Sequence, residues 1–408
     1  MENPKIRFKG FTKDWEQRKF SEFVENVAVR NREGLELECY AVTNDRGFIS
    51  QKEAHDDFGY MADVDKTAYN IVPPNSFAYN PARINVGSIG YYAGTENVIV
   101  SSLYEVFQTA DYVEDGFLWH WFKSTHFPKW IERLQEGSVR LYFYYDKLIQ
   151  CEMKMPSLEE QKKIGKYFDN LDHLITLHQR KCNQAKKLKK YMLQKMFPQN
   201  GEKIPEIRFD GFTDDWEQRK LGDIADVTKL AGFEFTEHVV YSDEGNIIAL
   251  RGLNIKNGQL ILDDVKYIDG SNFSKLSRSK LFIDDIMFTY VGTVGEVAII
   301  KENDRFYLAP NVSRIRVKSD DSPKFISHYM RTDNFKNKVI FPLIATSSQP
   351  ALSMENIRKF TINIPISREE QDCLAKYFDN IDQLITLHQR KCDEMKKIKK
   401  FMLQNMFV

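Results

Sequence analysis

The sequence predicts an α+β fold in which two strand-rich, mixed α/β domains are joined by two long helices that form an antiparallel coiled coil, with internal pseudo-twofold symmetry. Two observations predict it: an internal repeat at both ends of each half, and a heptad pattern in the segments that would be the helices. The chain has 408 residues, and because a domain usually has about 100 to 200 residues, one core cannot account for it. The predicted segments are a domain at 1–155, a helix and linker at 156–200, a second domain at 201–364 and a second helix at 365–408.

The internal repeat divides the chain into two copies of one unit. Residues 4–22 recur at 205–223 with 13 of 19 positions identical, and residues 161–197 recur at 371–407 with 25 of 37 identical. The segments between these repeats share almost nothing. The chain is therefore a tandem duplication whose ends stayed alike while its middles diverged.

Each repeated C-terminal segment has the features of a long helix. A serine followed by a glutamate three residues later, at Ser157 and Glu160 and again at Ser367 and Glu370, predicts a capping box at the start. Gly165 is the one glycine or proline within the two helix bodies. Each helix can run for about 40 residues, or roughly 60 Å.

The apolar residues of these helices follow a heptad. With Ile164 taken as position a, apolar side chains fall at positions a, d and the adjacent e, a seam wide enough to pack on another long helix. The simplest partner is the other long helix of the same chain, in an antiparallel pair. His178 and His388 lie in mid-seam, which favours a buried hydrogen-bonding pair that fixes the register over a metal or catalytic role. The predicted core of the helix pair is Leu171, Leu174, His178, Leu188, Ile381, Leu384, His388 and Ile398.

The divergent middles are predicted to be rich in strands. Short runs of β-branched or alternating residues, bounded by turn residues, occur at 97–100, 295–300, 312–317 and 360–364. Each middle is therefore expected to form a strand-rich domain of roughly 150 residues.

The charge balance excludes a uniformly basic nucleic-acid-binding protein. Lys plus Arg and Asp plus Glu are 58 each, although local patches remain possible. Residues 156–200 carry 10 basic and 4 acidic side chains, which fits either a solvated helix face or a face that meets phosphate or an acidic partner. The N-terminal residues have no signal-peptide pattern and no apolar stretch reaches the roughly 20 residues of a membrane span, so a cytoplasmic protein is predicted.

The motifs of catalytic and cofactor sites do not occur in the sequence. It has no GxxxxGK[ST] loop, no GxGxxG turn and no HExxH, and its five cysteines have no CxxC spacing. Asn80–Arg83 departs from the Asn/Asp-Pro-Pro-aromatic loop of an adenine methyltransferase at two of four positions, and Glu152-Met153-Lys154 matches only three residues of a metal-dependent nuclease site. We therefore expect no catalytic residue, metal or cofactor site on this chain.

The order of these parts resembles the specificity (S) subunit of type I DNA restriction-modification systems. The motifs that carry the resemblance are Trp15–Lys19 and Trp216–Ile224 at the domain starts, Met155–Gln161 and Ile364–Gln371 at the domain-to-helix junctions, and the glycine turns at Gly87 and Gly292. Each motif alone is weak, but their order and duplication together are specific and cover essentially the whole chain.

The resemblance implies a noncatalytic subunit of a larger complex. The variable domains would be target recognition domains, each reading one half of a bipartite double-stranded DNA target. The helices would set the spacing and dock two methyltransferase (M) subunits, and restriction (R) subunits would complete the complex. S-adenosylmethionine would bind the methyltransferase partner, and ATP and Mg²⁺ the restriction partner, for adenine-N6 methylation and ATP-dependent cleavage by the assembly.

The residues predicted to contact DNA lie in two loops of each domain. One loop contains the glycine turn, and the other follows from aligning the domains backwards from the helix junction. Arg140 and Gln349 are predicted to read bases, since Arg and Gln make bidentate contacts to guanine and adenine, and the serines are predicted to contact phosphate. The full predicted set is Arg83, Asn85, Ser88, Ser138, Arg140 and Tyr142 in the first domain and Tyr290, Thr293, Ser347, Ser348 and Gln349 in the second.

Two other functions remain open at this level. One is a self-contained DNA nuclease or methyltransferase with an unrecognised site, and the missing motifs argue against it. The other is a noncatalytic scaffold whose duplicated domains bind proteins rather than DNA.

Overall fold

The structure is a computed structural model that describes residues 3–44, 47–54, 65–138, 141–199, 201–344 and 350–408. It divides into two compact units. The first unit consists of residues 1–179 and 389–408, and the second of residues 180–388. The α+β class with two strand-rich domains and two long packed helices is confirmed.

The described residues of the first unit form eleven strands, four short α-helices and parts of both long helices. The strands are β1 (Glu16–Lys19), β2 (Val24–Asn26), β3 (Val29–Arg30), β4 (Tyr40–Thr43), β5 (Gly47–Ser50), β6 (Asn70–Val72), β7 (Ser76–Tyr79), β8 (Ile89–Tyr92), β9 (Val98–Val100), β10 (Glu105–Thr109) and β11 (Glu152–Met155). The short helices are α1 (Gln51–Ala54), α2 (Asp115–Phe122), α3 (Phe127–Leu134) and α4 (Tyr145–Leu148), and the first long helix is α5 (Leu158–Lys195).

The second unit has the same kinds of element. Its strands are β12 (Glu217–Lys220), β13 (Ala225–Lys229), β14 (Ile248–Leu250), β15 (Ile255–Lys256), β16 (Gln259–Leu260), β17 (Lys266–Tyr267), β18 (Ile286–Thr289), β19 (Val297–Ile299), β20 (Phe306–Leu308), β21 (Val312–Val317) and β22 (Thr361–Ile364). Its short helices are α6 (Leu221–Ile224), α7 (Gly232–His238), α8 (Pro323–Tyr329), α9 (Asp333–Phe335) and α10 (Met354–Arg358), and the second long helix is α11 (Arg368–Asn405). The four predicted strand segments each contain an observed strand.

The two domains share a sheet topology although their sequences diverged. A four-stranded sheet has the order β2-β10-β7-β8 in the first unit and β13-β21-β18-β19 in the second. Beside it, the strand of the repeated entry motif pairs antiparallel with the strand that leads into the long helix, with Glu16 opposite Met155 and Glu217 opposite Ile364. The repeated ends of each half therefore meet and form a common frame, while the middle segments fill it.

In each half a buried ion pair joins the repeated N-terminal segment, residues 4–22 or 205–223, to the start of the long helix. The Arg208 guanidinium donates to both oxygens of Glu370 at 2.7 Å, and Arg7 donates to Glu160 at 2.7 and 2.8 Å. Of the two hydrogen bonds of the predicted capping box at Ser367 and Glu370, one forms: the Ser367 hydroxyl accepts the Glu370 N–H at 3.4 Å. The other is wrong, because the Glu370 side chain binds Arg208 instead of the helix cap. Both glutamates are buried because an arginine satisfies them.

We expect Glu370→Ala to lower the free energy of unfolding by about 3 kcal/mol, because removing one partner leaves a buried charge uncompensated. Glu369, exposed in the same helical turn, gives the matched control Glu369→Ala. Urea unfolding followed by circular dichroism measures both variants. Equal stability of the two variants would contradict a stabilising role for the Arg208–Glu370 pair.

The seam of the long helices differs from the predicted one. All residues at positions a and e are buried or half-buried, as at Leu171 and Cys182 in α5 and at Ile381 and Cys392 in α11. Four predicted core residues, Leu174, Leu188, Leu384 and Ile398, occupy position d and are exposed, so their assignment to the core is wrong. The heptad contains three apolar positions, and the helix pair covers only two of them.

Within each unit the two long-helix segments run antiparallel. In the first unit Lys399 binds Asp172 at 2.5 Å and the Cys392 thiol lies 3.9 Å from the Ile175 carbonyl oxygen. In the second unit Lys189 binds Asp382, and the Cys182 thiol lies 3.8 Å from the Ile385 carbonyl oxygen. Partner numbers fall on one helix as they rise on the other, which is the antiparallel register. His178 and His388 are half-buried and belong to different units, so their pairing stays a prediction.

Candidate nucleic-acid interface

The two loops that the sequence singles out meet in each unit. In the first unit the Phe143 N–H, just before α4, donates to the carbonyl of Pro81 in the β7–β8 loop at 3.1 Å. In the second unit the Leu352 N–H, just before α10, donates to the Tyr290 carbonyl at 2.8 Å, and the Gly292 N–H donates to the Pro350 carbonyl at 2.9 Å. Each domain therefore presents its own composite surface, built from its hairpin loop and the segment before its last short helix.

Glycine is required where the hairpin loops turn. Gly87 has φ of 92°, and Gly292 and Gly295 have φ of 78° and 94°, values that side chains with a Cβ atom rarely adopt. A Cβ at Gly295 would also lie 3.3 Å from the Ile340 side chain, on the π-helical turn Lys336–Ile340. The turn is thus fixed both by its backbone conformation and by close packing.

In the first unit the predicted contact residues divide into exposed and buried ones. Arg83, Asn85 and Ser138 are exposed, and Tyr142 is half-buried. Ser88 is 3% exposed and its hydroxyl donates to the Val42 carbonyl at 2.8 Å. The prediction that Ser88 is offered to DNA is therefore wrong, because its hydroxyl is used inside the domain.

The second unit shows the same division. Thr293 is exposed at the tip of its turn, whereas Tyr290 is 8% exposed and lies under the Lys229 ammonium, 5.5 Å from the ring centroid. Burial raises the pKa of Tyr290, and a hydrogen bond to the backbone at Asn311 opposes that rise. Tyr290 supports the loop from below rather than presenting its ring on the surface, so its predicted contact role is also wrong.

Four of the predicted DNA contacts cannot be placed. Arg140, Ser347, Ser348 and Gln349 lie outside the described residues. Residues on either side of Arg140 are described: Glu136 and Tyr142 exchange two backbone hydrogen bonds at 2.9 and 2.7 Å. The base-reading and phosphate-binding roles of Arg140, Ser347, Ser348 and Gln349 stay predictions.

The metal-binding and nuclease-like features considered in the sequence can be compared with the described residues. Within the described ranges, no cluster of three His, Cys, Asp or Glu side chains could hold a metal ion. Glu152 lies on β11 and accepts a hydrogen bond from the Gln17 amide of β1, so the nuclease-like Glu-x-Lys match belongs to the frame of the domain. No helix in the described part of the chain is long and apolar enough to cross a membrane.

A family model described as the type I restriction modification DNA specificity domain matches this chain twice, at residues 12–187 and 213–397. Together the two matches cover most of the sequence, one in each half. The chain belongs to this specificity-domain family.

Relatives of this specificity-family chain include the type I restriction enzyme MjaVIII specificity subunit of Methanocaldococcus jannaschii. It is 23% identical over 325 residues, which are 78% of this chain and 74% of the relative. The crystal structure of the type I restriction-modification S subunit from M. genitalium aligns with a TM-score of 0.64 at 13% identity, over 100% of this chain and 99% of that one. At that identity the alignment shows a shared fold.

Sequence reasoning missed two sets of residues in this specificity-family chain. Tyr144, 48% exposed, stacks on Tyr142 with ring centroids 5.4 Å apart and planes 2° apart, and the aromatic run of residues 142–145 could have signalled it. The second set joins α2 and α8 to the long helices. It is marked by His-x-x-Lys at 120–123 and His-x-x-Arg at 328–331, a short match within segments that otherwise diverged.

Proposed function

We propose that this chain is the noncatalytic DNA-specificity subunit of a type I restriction-modification complex, in which each domain reads one half of a bipartite target. One observation carries the proposal: the same pair of loops meets on the same sheet topology in both units, with different exposed side chains at equivalent places. Two domains of one architecture and different surfaces fit two different half-sites. The complex would act in the cytoplasm, on double-stranded DNA.

Base reading is assigned to the loops described above. In the first domain the contact set is Arg83, Asn85, Ser138, Arg140 and Tyr142, and in the second it is Thr293, Ser347, Ser348 and Gln349. Arg140 suits the O6 and N7 acceptors of guanine, and Gln349 suits the N6 and N7 pair of adenine. The exposed Tyr144 ring adds an apolar surface of the kind that stacks on or inserts between bases.

Docking of the methyltransferase is assigned to the exposed apolar side chains of the long helices. They form two equivalent sets, which we call the helix patches: Leu174, Ile398 and Phe401 in the first unit, and Leu384, Leu188 and Tyr191 in the second. These six side chains are 38% to 55% exposed. Large apolar surfaces of this kind mark protein interfaces, and two equivalent patches predict two copies of one partner.

Chemistry is assigned to the partners. S-adenosylmethionine would bind the methyltransferase subunits, and ATP and Mg²⁺ the restriction subunits, while this chain positions the duplex. An enzyme that modifies a base inside a duplex must extrude that base, so positioning the DNA and performing the reaction can be divided between subunits.

We expect Arg140→Ala to relax sequence discrimination only in the half-site read by the first domain, by about 1 to 3 kcal/mol, the value of one bidentate base contact. Gln349→Ala is the reciprocal control and should relax only the other half-site. Methylation of duplexes with single base changes by the reconstituted complex measures both. Uniform weakening across all sequences, with a smaller salt dependence, would make Arg140 a phosphate contact.

A further inference from the structure

Each domain is joined to its long helix by a short ladder of polar contacts. The first contact pairs a buried histidine with an aspartate: His120 Nε2 on α2 lies 2.9 Å from Asp169 Oδ1 on α5, and His328 Nε2 on α8 lies 2.9 Å from Asp379 Oδ1 on α11. Both histidines are at most 2% exposed. Each ring also packs on a phenylalanine of the long helix, with centroids 5.0 and 5.5 Å apart.

The second ring nitrogen of each buried histidine, Nδ1, is buried and has no hydrogen-bond partner among the described residues. In His120 a proton on Nδ1 would therefore be unsatisfied, which favours the neutral ring that donates from Nε2 to Asp169. Burial is the main cause that lowers the pKa of His120, against the hydrogen bond to Asp169, which raises it. The contact is thus a directional hydrogen bond to a carboxylate.

The second contact lies one helical turn further along. Arg331 donates to Asp382 of α11 at 2.8 Å, and Asp382 also binds Lys189 of α5. In the first unit Asp172 binds Lys399 at 2.5 Å. Burial, followed by the charge of Lys399, lowers the pKa of Lys123 to about 8, against the charges of Asp172 and Asp169, which raise it. Asp382 therefore binds both a basic residue of the domain and a lysine of the other long helix, and Asp172 binds the equivalent lysine of the other long helix.

The third contact lies at the start of each long helix. Gln161 Oε1 accepts the Glu114 N–H at 2.9 Å while its amide donates to the Pro156 carbonyl at 3.0 Å. Gln371 Oε1 accepts the Ser322 N–H at 2.7 Å while its amide donates to the Pro365 carbonyl at 2.9 Å. Three contacts along one helix face leave little freedom for the domain to rotate about the long helix.

The glycine turns at Gly87 and Gly292, in the β7–β8 and β18–β19 loops, are called the reading turns below. In the second unit the ladder also contacts the β15–β16 hairpin, which packs against the reading turn. A Cβ at Gly258, in this hairpin, would clash with the Arg331 guanidinium, so the hairpin and the arginine are in close contact. The adjacent Asn257 N–H donates to Glu296 Oε2 at 2.6 Å, and Glu296 lies in the β18–β19 turn with Thr293. Arg331 therefore stands between the reading turn and the long helices.

The first unit repeats this arrangement with other residues. A Cβ at Gly47, in the β4–β5 hairpin, would lie 3.6 Å from the Trp119 ring. The Lys123 ammonium lies 3.7 Å from the centroid of that same ring. Val42 of this hairpin accepts the Ser88 hydroxyl from the reading turn. Divergent side chains thus maintain the same path from the reading turn to the helices.

We propose that this ladder is the joint that fixes the orientation of each recognition domain on the long helices, and that it thereby makes the protein strict for one spacer length between half-sites. We call it the orientation joint: His120, Lys123, Gln161, Asp169 and Asp172 in the first unit, and His328, Arg331, Gln371, Asp379 and Asp382 in the second. These are positioning residues that act through the reading loops. The inference rests on the proposed function, because it presupposes that the domains read DNA half-sites.

The test compares spacer preference with base preference. Asp382→Asn keeps the shape of the side chain and removes its charge, and Arg331→Lys keeps the charge and changes the geometry. Asp372 of α11, which pairs with Arg368 of the same helix, gives the matched control Asp372→Asn. Complexes reconstituted with the methyltransferase partner are assayed on duplexes whose two half-sites are separated by the native spacer or by one base pair more or less.

We expect Asp382→Asn to reduce the preference for the native spacer by about fivefold or more, while discrimination against base changes within each half-site stays at the wild-type value. Arg331→Lys should retain most of the spacer preference, and Asp372→Asn all of it. Asp172→Asn is the same change in the first unit and gives the measurement if Asp382→Asn fails to fold. An unchanged spacer preference in a folded aspartate variant would overturn the proposed joint. A loss of base discrimination as large as the loss of spacer preference would overturn it as well.

The wild-type complex separates this inference from the proposed function. If the wild type methylates a duplex with a single half-site as well as it methylates the bipartite duplex, the proposed function fails, whatever the variants do. If the wild type requires both half-sites and the aspartate variants keep its spacer preference, only the orientation joint fails.

Discussion

Replacing Leu384 and Ile398 together by glutamate abolishes methylation by the reconstituted complex while the chain itself stays folded. Each substitution places a carboxylate in one helix patch, where it would be buried against the methyltransferase without a partner. We expect the affinity for the methyltransferase to fall at least about 100-fold, which corresponds to roughly 2.8 kcal/mol. The melting temperature should change little, because both side chains are exposed in the chain alone.

Copurification with the methyltransferase and methyl transfer to duplex DNA measure this effect. Leu103, 71% exposed between β9 and β10, gives the control Leu103→Glu, which should bind and methylate as the wild type does. A double variant that still copurifies with the methyltransferase would show that the helix patches are not its docking surface.

Inserting four residues into both long helices shifts the preferred spacer of the DNA target. The insertion points are the boundaries between the units, after Gln179 in α5 and after His388 in α11, so the contacts within each unit remain. Four helical residues add about 6 Å of rise and about 40° of rotation. With about 3.4 Å per base-pair step, the preferred spacer should lengthen by roughly one to two base pairs.

The insertion variant is assayed on duplexes with the same half-sites and a series of spacers. Its control is a variant in which four residues at the same boundaries are replaced by alanine, without a change of length, and this variant should keep the native spacer. A folded insertion variant that still prefers the native spacer would exclude the long helices as the element that sets the distance.

The long helices and the duplicated frame could be predicted because they depend on local sequence. The repeats at 4–22 and 161–197 keep their residues in the second copy, and a helix of this length without proline has few alternatives. The choice of seam could not be predicted. Apolar residues occupy positions a, d and e, and only the packing of the two helices decides that Leu174, Leu188, Leu384 and Ile398 at position d stay exposed. Leu174 and Leu384 are apolar but exposed, so they leave a surface on which a partner could pack.

The candidate interface could be predicted in place but not in detail. Glycine turns and alignment from the helix junction located both loops, since turns and junctions have local signatures. Which side chains point outward depends on the domain beneath them: Val42 takes up the Ser88 hydroxyl, and Lys229 lies over Tyr290. The orientation joint escaped prediction because its residues come from distant parts of the chain. Its helix residues are identical in the two copies of the repeat, but its domain residues share only a short match at 120–123 and 328–331.

The most direct test of the central claim is sequencing of methylated adenines in host DNA, with and without the gene for this chain and with the methyltransferase present in both. We expect methylation at one bipartite motif when the chain is present and loss of that motif when it is absent. A chain carrying Gln349→Ala should retain discrimination in one half of the motif and relax it in the other. Persistence of the complete motif without the chain would contradict the account.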